Sequence, residues 1–209
     1  MSIGILGNKL GMAQFFDSKG HAVPATIIKA GPCFVTQIKN ISTCGYSAIQ
    51  VGYVEASINS KKLTKPLLGH FNKHNLLPYK FLQEYLVHDL TGFFLGQELN
   101  LSLFKVGEKV NISGLTIGKG NASNIKRNNF KRGPMSHGSK HHRLQGSLGA
   151  GTTPGRVFPG KKMPGRLGFE KRTLKNLEIL DINLQENILF IKGNVPGKAG
   201  NLLNLTSTN

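Results

Sequence analysis

Acidic side chains are scarce in this chain. Ten Asp+Glu stand against 27 Lys+Arg in 209 residues, a net charge of +17 at pH 7. An ordinary compact enzyme rarely carries so one-sided a charge, because self-repulsion opposes folding. Cysteine is scarcer still: Cys33 and Cys44 are the only two, which excludes a disulfide scaffold. They stand eleven apart with no histidine between them. A metal site needs more ligands at tighter spacing, so the pair reads as two reduced, partly buried thiols. Trp is absent. Long apolar runs are missing as well: Ile188-Leu189-Phe190-Ile191 falls far short of the roughly 18 residues of a membrane span. Met1-Ser2-Ile3-Gly4 leads straight into patterned sequence, and no secretory signal is expected there. What remains is a soluble protein with a polyanionic partner, nucleic acid first and an anionic membrane surface second.

Glycine, by contrast, is abundant: 26 residues, about 12 % of the chain against an average near 7 %. Apolar residues make up 39 %, enough for one modest core, and the length fits one or two domains. The charge is concentrated. Residues 119–172 hold 13 Lys+Arg, three His, ten Gly and a single acid, Glu170, a net charge of +12. The rest of the chain carries 14 basic and nine acidic side chains, net +5. The basic segment shows no sustained period of 2 or 3.6, and so little apolar surface cannot offset the entropy of ordering it. A loop of this length is unusual within a compact domain, and the expectation is that a partner orders it. Gly and Pro turn tightly without bulk and Lys/Arg neutralise crowded phosphates, a composition suited to a strand threaded through nucleic acid.

The flanks read as short strands. Residues 3–16 form one, Asp17-Ser18-Lys19-Gly20 a turn, and residues 22–28 the next strand. Gly31-Pro32 breaks the pattern; residues 33–38 and 46–54 follow as further strands. After the basic segment, residues 177–184 and 188–191 predict a β-hairpin turning at Gln185-Glu186-Asn187. Residues 106–112 alternate and predict a strand. In between, Lys61-Lys62-Leu63-Thr64-Lys65-Pro66 ends the first sheet section, and its lysines suit either a solvated face or the polyanion. Gly69-His70-Phe71 reads as a loop. A short helix is expected after Pro78, with Phe81, Leu82 and Tyr85 on one side. Residues 93–95 and 99–104 return to an extended pattern. Short strands with frequent turns argue for a barrel or sandwich.

Three motifs invite chemistry, and each falls short. Gly155-Arg156-Val157-Phe158-Pro159-Gly160-Lys161-Lys162 approaches the phosphate-cradling loop of nucleotide hydrolases. Lys162 stands where a magnesium-binding hydroxyl is needed, Pro164 and Gly165 follow where a helix should begin, and no strand precedes. Pro134-Met135-Ser136-His137-Gly138 resembles a nucleophile elbow without its first Gly and without a carboxylate partner. His137, His141 and His142 lack Cys or acidic co-ligands and have cationic neighbours, so hydrogen bonding or stacking on RNA suits them better. No catalytic residue, metal or cofactor is expected. A membrane-surface protein would need an amphipathic basic helix, which the Gly and Pro of the segment forbid.

The chain resembles the large-subunit ribosomal protein three family, of bacterial and plastid type, over essentially residues 2–205. The resemblance rests on Gly4-Ile5-Leu6-Gly7-Asn8-Lys9-Leu10-Gly11-Met12, on Ala30-Gly31-Pro32-Cys33 with Val35-Thr36-Gln37-Ile38, and on Thr64-Lys65-Pro66 with Gly69-His70-Phe71. Its densest part is Asn129-Phe130-Lys131-Arg132-Gly133-Pro134-Met135-Ser136-His137-Gly138-Ser139-Lys140, followed by Gly146-Ser147-Leu148-Gly149-Ala150-Gly151-Thr152-Thr153-Pro154-Gly155-Arg156-Val157-Phe158-Pro159-Gly160-Lys161. The resemblance implies a mainly β fold: a translation-protein-type six-stranded β-barrel over residues 1–118 and 173–209, a small helical insertion at about 60–104, and a long basic, largely irregular extension, 119–172. It implies a structural constituent of the large ribosomal subunit that binds near the 3′ end of 23S-type rRNA and helps nucleate assembly, beside large-subunit proteins fourteen and nineteen, with no membrane or small-molecule partner. Another RNA-binding assembly factor is the alternative, and a nucleotide-binding enzyme a remoter one.

The expected rRNA-binding residues are Lys119, Lys126, Arg127, Lys131, Arg132, His137, Lys140, His141, His142, Arg143, Arg156, Lys161, Lys162, Arg166, Lys171 and Arg172. The expected tip towards the peptidyl transferase centre comprises Gln145, Gly146, Ser147, Gly149, Ala150, Gly151, Thr152 and Thr153. Many bacterial members carry a methylated Gln where this chain has Ala150, which has no side-chain amide to modify. The segment His142-Arg143-Leu144-Gln145 is looser than the family pattern. Frequent Asn, 18 in all, and the wording of residues 130–140 and 201–204 point to a plastid ribosome, with a bacterial cytoplasm as the alternative.

Overall fold

The computed structural model describes residues 3–17, 19–55 and 63–208. In chain order the elements are strands β1 (Gly4–Phe16), β2 (Ala22–Ala30) and β3 (Cys33–Lys39), helix α1 (Ile41–Cys44), β4 (Ala48–Glu55), helix α2 (Lys65–Asn72), β5 (Tyr79–Leu86), β6 (Glu98–Leu99), β7 (Lys109–Leu115), β8 (Asn121–Ala122), helix α3 (Asn124–Asn128), β9 (Gly165–Arg166), β10 (Lys171–Asn183), β11 (Ile188–Lys192) and β12 (Leu202–Ser207). Six of the strands close on themselves in the order β1-β12-β7-β10-β11-β2, every pair antiparallel. The fold is mainly β, as the strand-and-turn pattern predicts.

Closure follows from alternation. Residues opposite one another in an antiparallel ladder share a face. Ile5 pairs with Leu205, which pairs with Ile112 on its other side, while Leu189 pairs with Ile28 and Ile191 with Ile179. All of these are buried, so one face of every strand contributes to a common interior. Gly7 and Gly114 both sit opposite Leu203. A Cβ on Gly114 would stand 2.7 Å from Leu203 Cδ2, and one on Gly7 2.8 Å from the Lys29 carbonyl. The bare Gly114 makes room for the leucine, and the bare Gly7 lets β1 lie close against β2.

A second sheet, ordered β5-β4-β3-β6, belongs to the same core. The Tyr85 hydroxyl donates to Asn204 Oδ1 (2.6 Å) and the Tyr53 hydroxyl to the Lys29 carbonyl (3.2 Å), joining this sheet to β12 and β2. Around α2, Phe71 meets Tyr79 edge to face at 6.0 Å, and Tyr79 stacks on Phe34 at 5.4 Å. A Cβ on Gly52 would stand 2.7 Å from the Tyr79 ring, so the ring lies directly against β4.

Several sequence expectations need correction. Gly69-His70-Phe71 lies inside α2 and is not a loop; Pro66 occupies its first turn. The helix expected after Pro78 is strand β5, paired with β4 from Ala48↔Leu86 to Glu55↔Tyr79. Residues 93–95 form no strand, with Leu95 in a turn, and Leu101–Leu103 forms a 3-10 turn rather than strand. Of the two thiols only Cys33 is buried, while Cys44 is exposed. Loss of water pushes the Cys33 thiol up to about 12, which keeps it protonated. Lys61 and Lys62 lie outside the described residues; Lys65 is exposed at the start of α2. The hairpin forms as read: Asn183 Oδ1 accepts from the Gln185 and Glu186 amides between β10 and β11.

Candidate nucleic-acid interface

The chain divides into two compact units, one holding the chain up to Leu115 and from Lys171 onward, the other Thr116–Glu170. Fourteen of the sixteen basic and histidine side chains singled out in the sequence fall in the second unit, which we call the arm; Lys171 and Arg172 open strand β10 in the body.

Backbone pairing closes the root of the arm. The Thr116 amide donates to Glu170 O (2.9 Å), Lys119 to Leu167 O (2.8 Å) and Leu167 to Gly120 O (2.9 Å), and the two stretches continue as β8 and β9. Gly168, at φ +74°, must be glycine, because a Cβ would strike the Ile117 carbonyl. Beside it the Arg166 guanidinium lies over the Phe169 ring at 4.9 Å.

Helix α3 is a single turn closed by Asn129 in the left-handed region. Three of its side chains hold the returning chain. Asn124, 2 % exposed, donates from Nδ2 to Lys162 O (3.2 Å) and reaches Gln145 Oε1 at 3.5 Å. Asn128 Nδ2 donates to Asn124 Oδ1 (2.8 Å) and Met163 O (3.2 Å). Arg127 Nη1 also donates to Met163 O (2.9 Å), and its guanidinium fills the space that a Cβ on Gly165 would need. Spacings of three and four residues put these groups on one side of the turn. The two asparagines escape a reading that follows charge; their i, i+4 spacing beside Ser123 is the available signal.

Residues 130–144 form a lobe. The Gly133 amide donates to His142 O (3.1 Å), and His142 Nδ1 lies 2.8 Å from Pro134 O. A carbonyl only accepts, so this ring nitrogen carries the hydrogen. His137 and Gly138 both adopt positive φ and turn the chain. Beyond Gln145 the path is set by Gly146, Gly151, Gly155 and Gly160, all at positive φ, with the Gly155 amide donating to Gly151 O (3.1 Å). Ser147, Gly149, Ala150, Thr152 and Thr153 are exposed along it. No strand leads directly into Gly155 and no helix starts after Lys162 among the described residues, so the frame of a nucleotide-hydrolase loop is not built.

All thirteen Lys and Arg and all three His of the sequence-predicted set are exposed. The unit Thr116–Glu170 holds eleven Lys+Arg and one carboxylate, so its own chain cannot neutralise it. Exposed apolar groups alternate with the cations: Leu144 beside Arg143, and Val157 and Phe158 after Arg156. Such a surface offers charge for phosphates and flat apolar area for bases or sugars.

Comparison with known proteins agrees with this build. The family model described as "Ribosomal protein L3" matches residues 93–189. The large ribosomal subunit protein uL3c of Porphyra purpurea is 54 % identical over 206 residues, covering 99 % of this chain and 100 % of its own length. The uL3c of Phaeodactylum tricornutum is 55 % identical over 205 residues, 98 % of each chain. The uL3 of Picosynechococcus sp. is 53 % identical over 210 residues, 100 % of this chain and 98 % of its own. A closed β body with a polycationic arm is thus, by class, a ribosomal protein. Within that class the chain belongs to the ribosomal protein L3 family.

Proposed function

We propose that this protein is a structural constituent of the large subunit of a plastid ribosome. It is not an enzyme. Its arm binds 23S-type rRNA directly, near the 3′ end, and helps to nucleate subunit assembly. Residues 145–153 extend towards the peptidyl transferase centre, and large-subunit proteins fourteen and nineteen are its neighbours. The plastid assignment accords with its relatives, the algal chloroplast and cyanobacterial forms. One observation carries the RNA reading: eleven exposed cations in Thr116–Glu170 share one carboxylate. Where RNA helices crowd together, fixed cations on a thin chain neutralise phosphate without the entropy cost of confining free counterions. Side chains supplying this work are Lys119, Lys126, Lys131, Arg132, Lys140, Arg156, Lys161, Lys162 and Arg166, with Lys171 and Arg172 continuing it on β10.

The test is a titration of the full chain with a 3′-domain fragment of 23S-type rRNA at several salt concentrations. Neutralising about eight phosphates gives log affinity against log salt a slope of roughly −6 to −7. A slope near zero would remove the electrostatic basis of the proposal.

A further inference from the structure

Within the arm, an open cleft of about 440 Å³ is lined by Ser123, Asn124 and Pro164 together with His141 and residues 143–146. Leu144 and Pro164 are the apolar side chains of its lining, and Leu144 is 62 % exposed, an uncovered apolar side chain on a strongly charged surface. Asn124 is committed to Lys162 O and Asn128, but two other polar groups around the cleft keep bonding capacity. Ser123 precedes α3 but makes no side-chain capping bond, so its hydroxyl remains available. The Gln145 carboxamide meets Asn124 only at the 3.5 Å limit and only through Oε1, which leaves its NH₂ group to donate. Arg143 and His141 put a planar guanidinium and an imidazole at the rim. No carboxylate lines the cleft.

We infer that this cleft receives one unpaired nucleotide of the bound RNA, its base against Leu144 and Pro164, its edge met by Gln145 and Ser123, and its phosphate by Arg143. The inference rests on the RNA-binding reading above and adds a defined pocket to it. A volume of this size lies within the range of sites for single small ligands. Unstacked bases are recognised by flat apolar or planar cationic surfaces together with hydrogen bonds along the base edge, and a side-chain amide can supply a donor and an acceptor to one edge.

The experiment is base-reactivity probing of the 3′-domain rRNA fragment bound to the full chain, comparing wild type with Ser123→Tyr, which fills the cleft, and Gln145→Ala, which removes the edge reader. Neither substitution changes the charge. The expected result is that one unpaired nucleotide protected by wild type regains its reactivity in both variants. Affinity should weaken roughly tenfold, the scale of one stacked base, with the salt slope unchanged. Recovery in Gln145→Ala alone also supports the pocket, should the larger tyrosine disturb α3. If both variants keep every wild-type protection, the pocket assignment falls while RNA binding stands. If wild type itself protects no base and binds without salt dependence, the RNA reading fails instead.

Discussion

Lys9 is a buried charge that meets no acid among the described residues. It is 7 % exposed, and its ammonium donates to Asn194 Oδ1 (3.2 Å), Val195 O (3.0 Å) and Gly197 O (3.0 Å). Three donors thus find three acceptors, but the lost hydration pushes its pKa below the usual 10.5. Replacing Lys9 by Met strands two loop carbonyls and should destabilise the fold by about 1–3 kcal/mol in urea unfolding, followed by circular dichroism because the chain has no Trp. The pH dependence has a definite sign. Between the lowered folded pKa and 10.5 the unfolded state binds more protons, so wild-type stability rises with pH there. The gap between wild type and Lys9→Met should therefore widen as pH approaches 10.5, and a constant gap would contradict the burial of the charge. The sequence shows Lys9 only as one residue of a strand-like, family-like run. Its acceptors lie 185 or more residues away, and no local pattern signals such a bond.

Elements are legible in the sequence where one face is buried and illegible where the local signal is shared by two structures. Strands β1, β2, β7 and β11 alternate or sit between turn residues, and the sequence pattern places each within a few residues, whereas β10 begins at Lys171, six residues before its expected start at Leu177. Strand β5 misleads because Phe81, Leu82 and Tyr85 satisfy helical spacing equally well; pairing with β4 decides the matter, and that pairing is not local. Helix α2 is hidden by Gly69, although Thr64 before Pro66 is a helix-start signal. In the arm, α3 is too short to hold itself by backbone bonds. Its anchoring comes from Asn124 and Asn128, which leads to a prediction. Asn124→Leu keeps the approximate shape but leaves Lys162 O and the Asn128 amide short of a partner, at a cost of about 1–3 kcal/mol. Amide exchange at Lys126 and Arg127, whose N–H groups bond to Ser123 O, should speed up, while exchange at Ile112 in the barrel stays at the wild-type rate. Equal exchange throughout would show that the asparagines do not hold the arm.

At the scale of the whole molecule, two kinds of stabilisation divide the chain. The body buries its apolar residues, from Ile5 and Leu6 to Leu203 and Leu205, whereas in the arm only Ala122 and Asn124 are buried. Composition alone marks this division, because apolar pattern and charge excess occupy different stretches of sequence. The pairing at the arm's root has no such mark, since it consists of backbone bonds such as Lys119 to Leu167 that leave no side-chain signature. Deletion of residues 125–165 separates the two contributions. It removes nine Lys+Arg and no acid, lowering the net charge from +17 to +8, and takes none of the barrel's buried residues. The remaining chain should unfold in one cooperative transition at nearly the wild-type midpoint, because its core is intact. Its affinity for the rRNA fragment should fall by orders of magnitude, and its salt slope should flatten in proportion to the number of phosphates it no longer neutralises. Unfolding of the truncated chain would show that the body depends on the arm, and an undiminished slope would place the RNA-binding charge on the barrel instead.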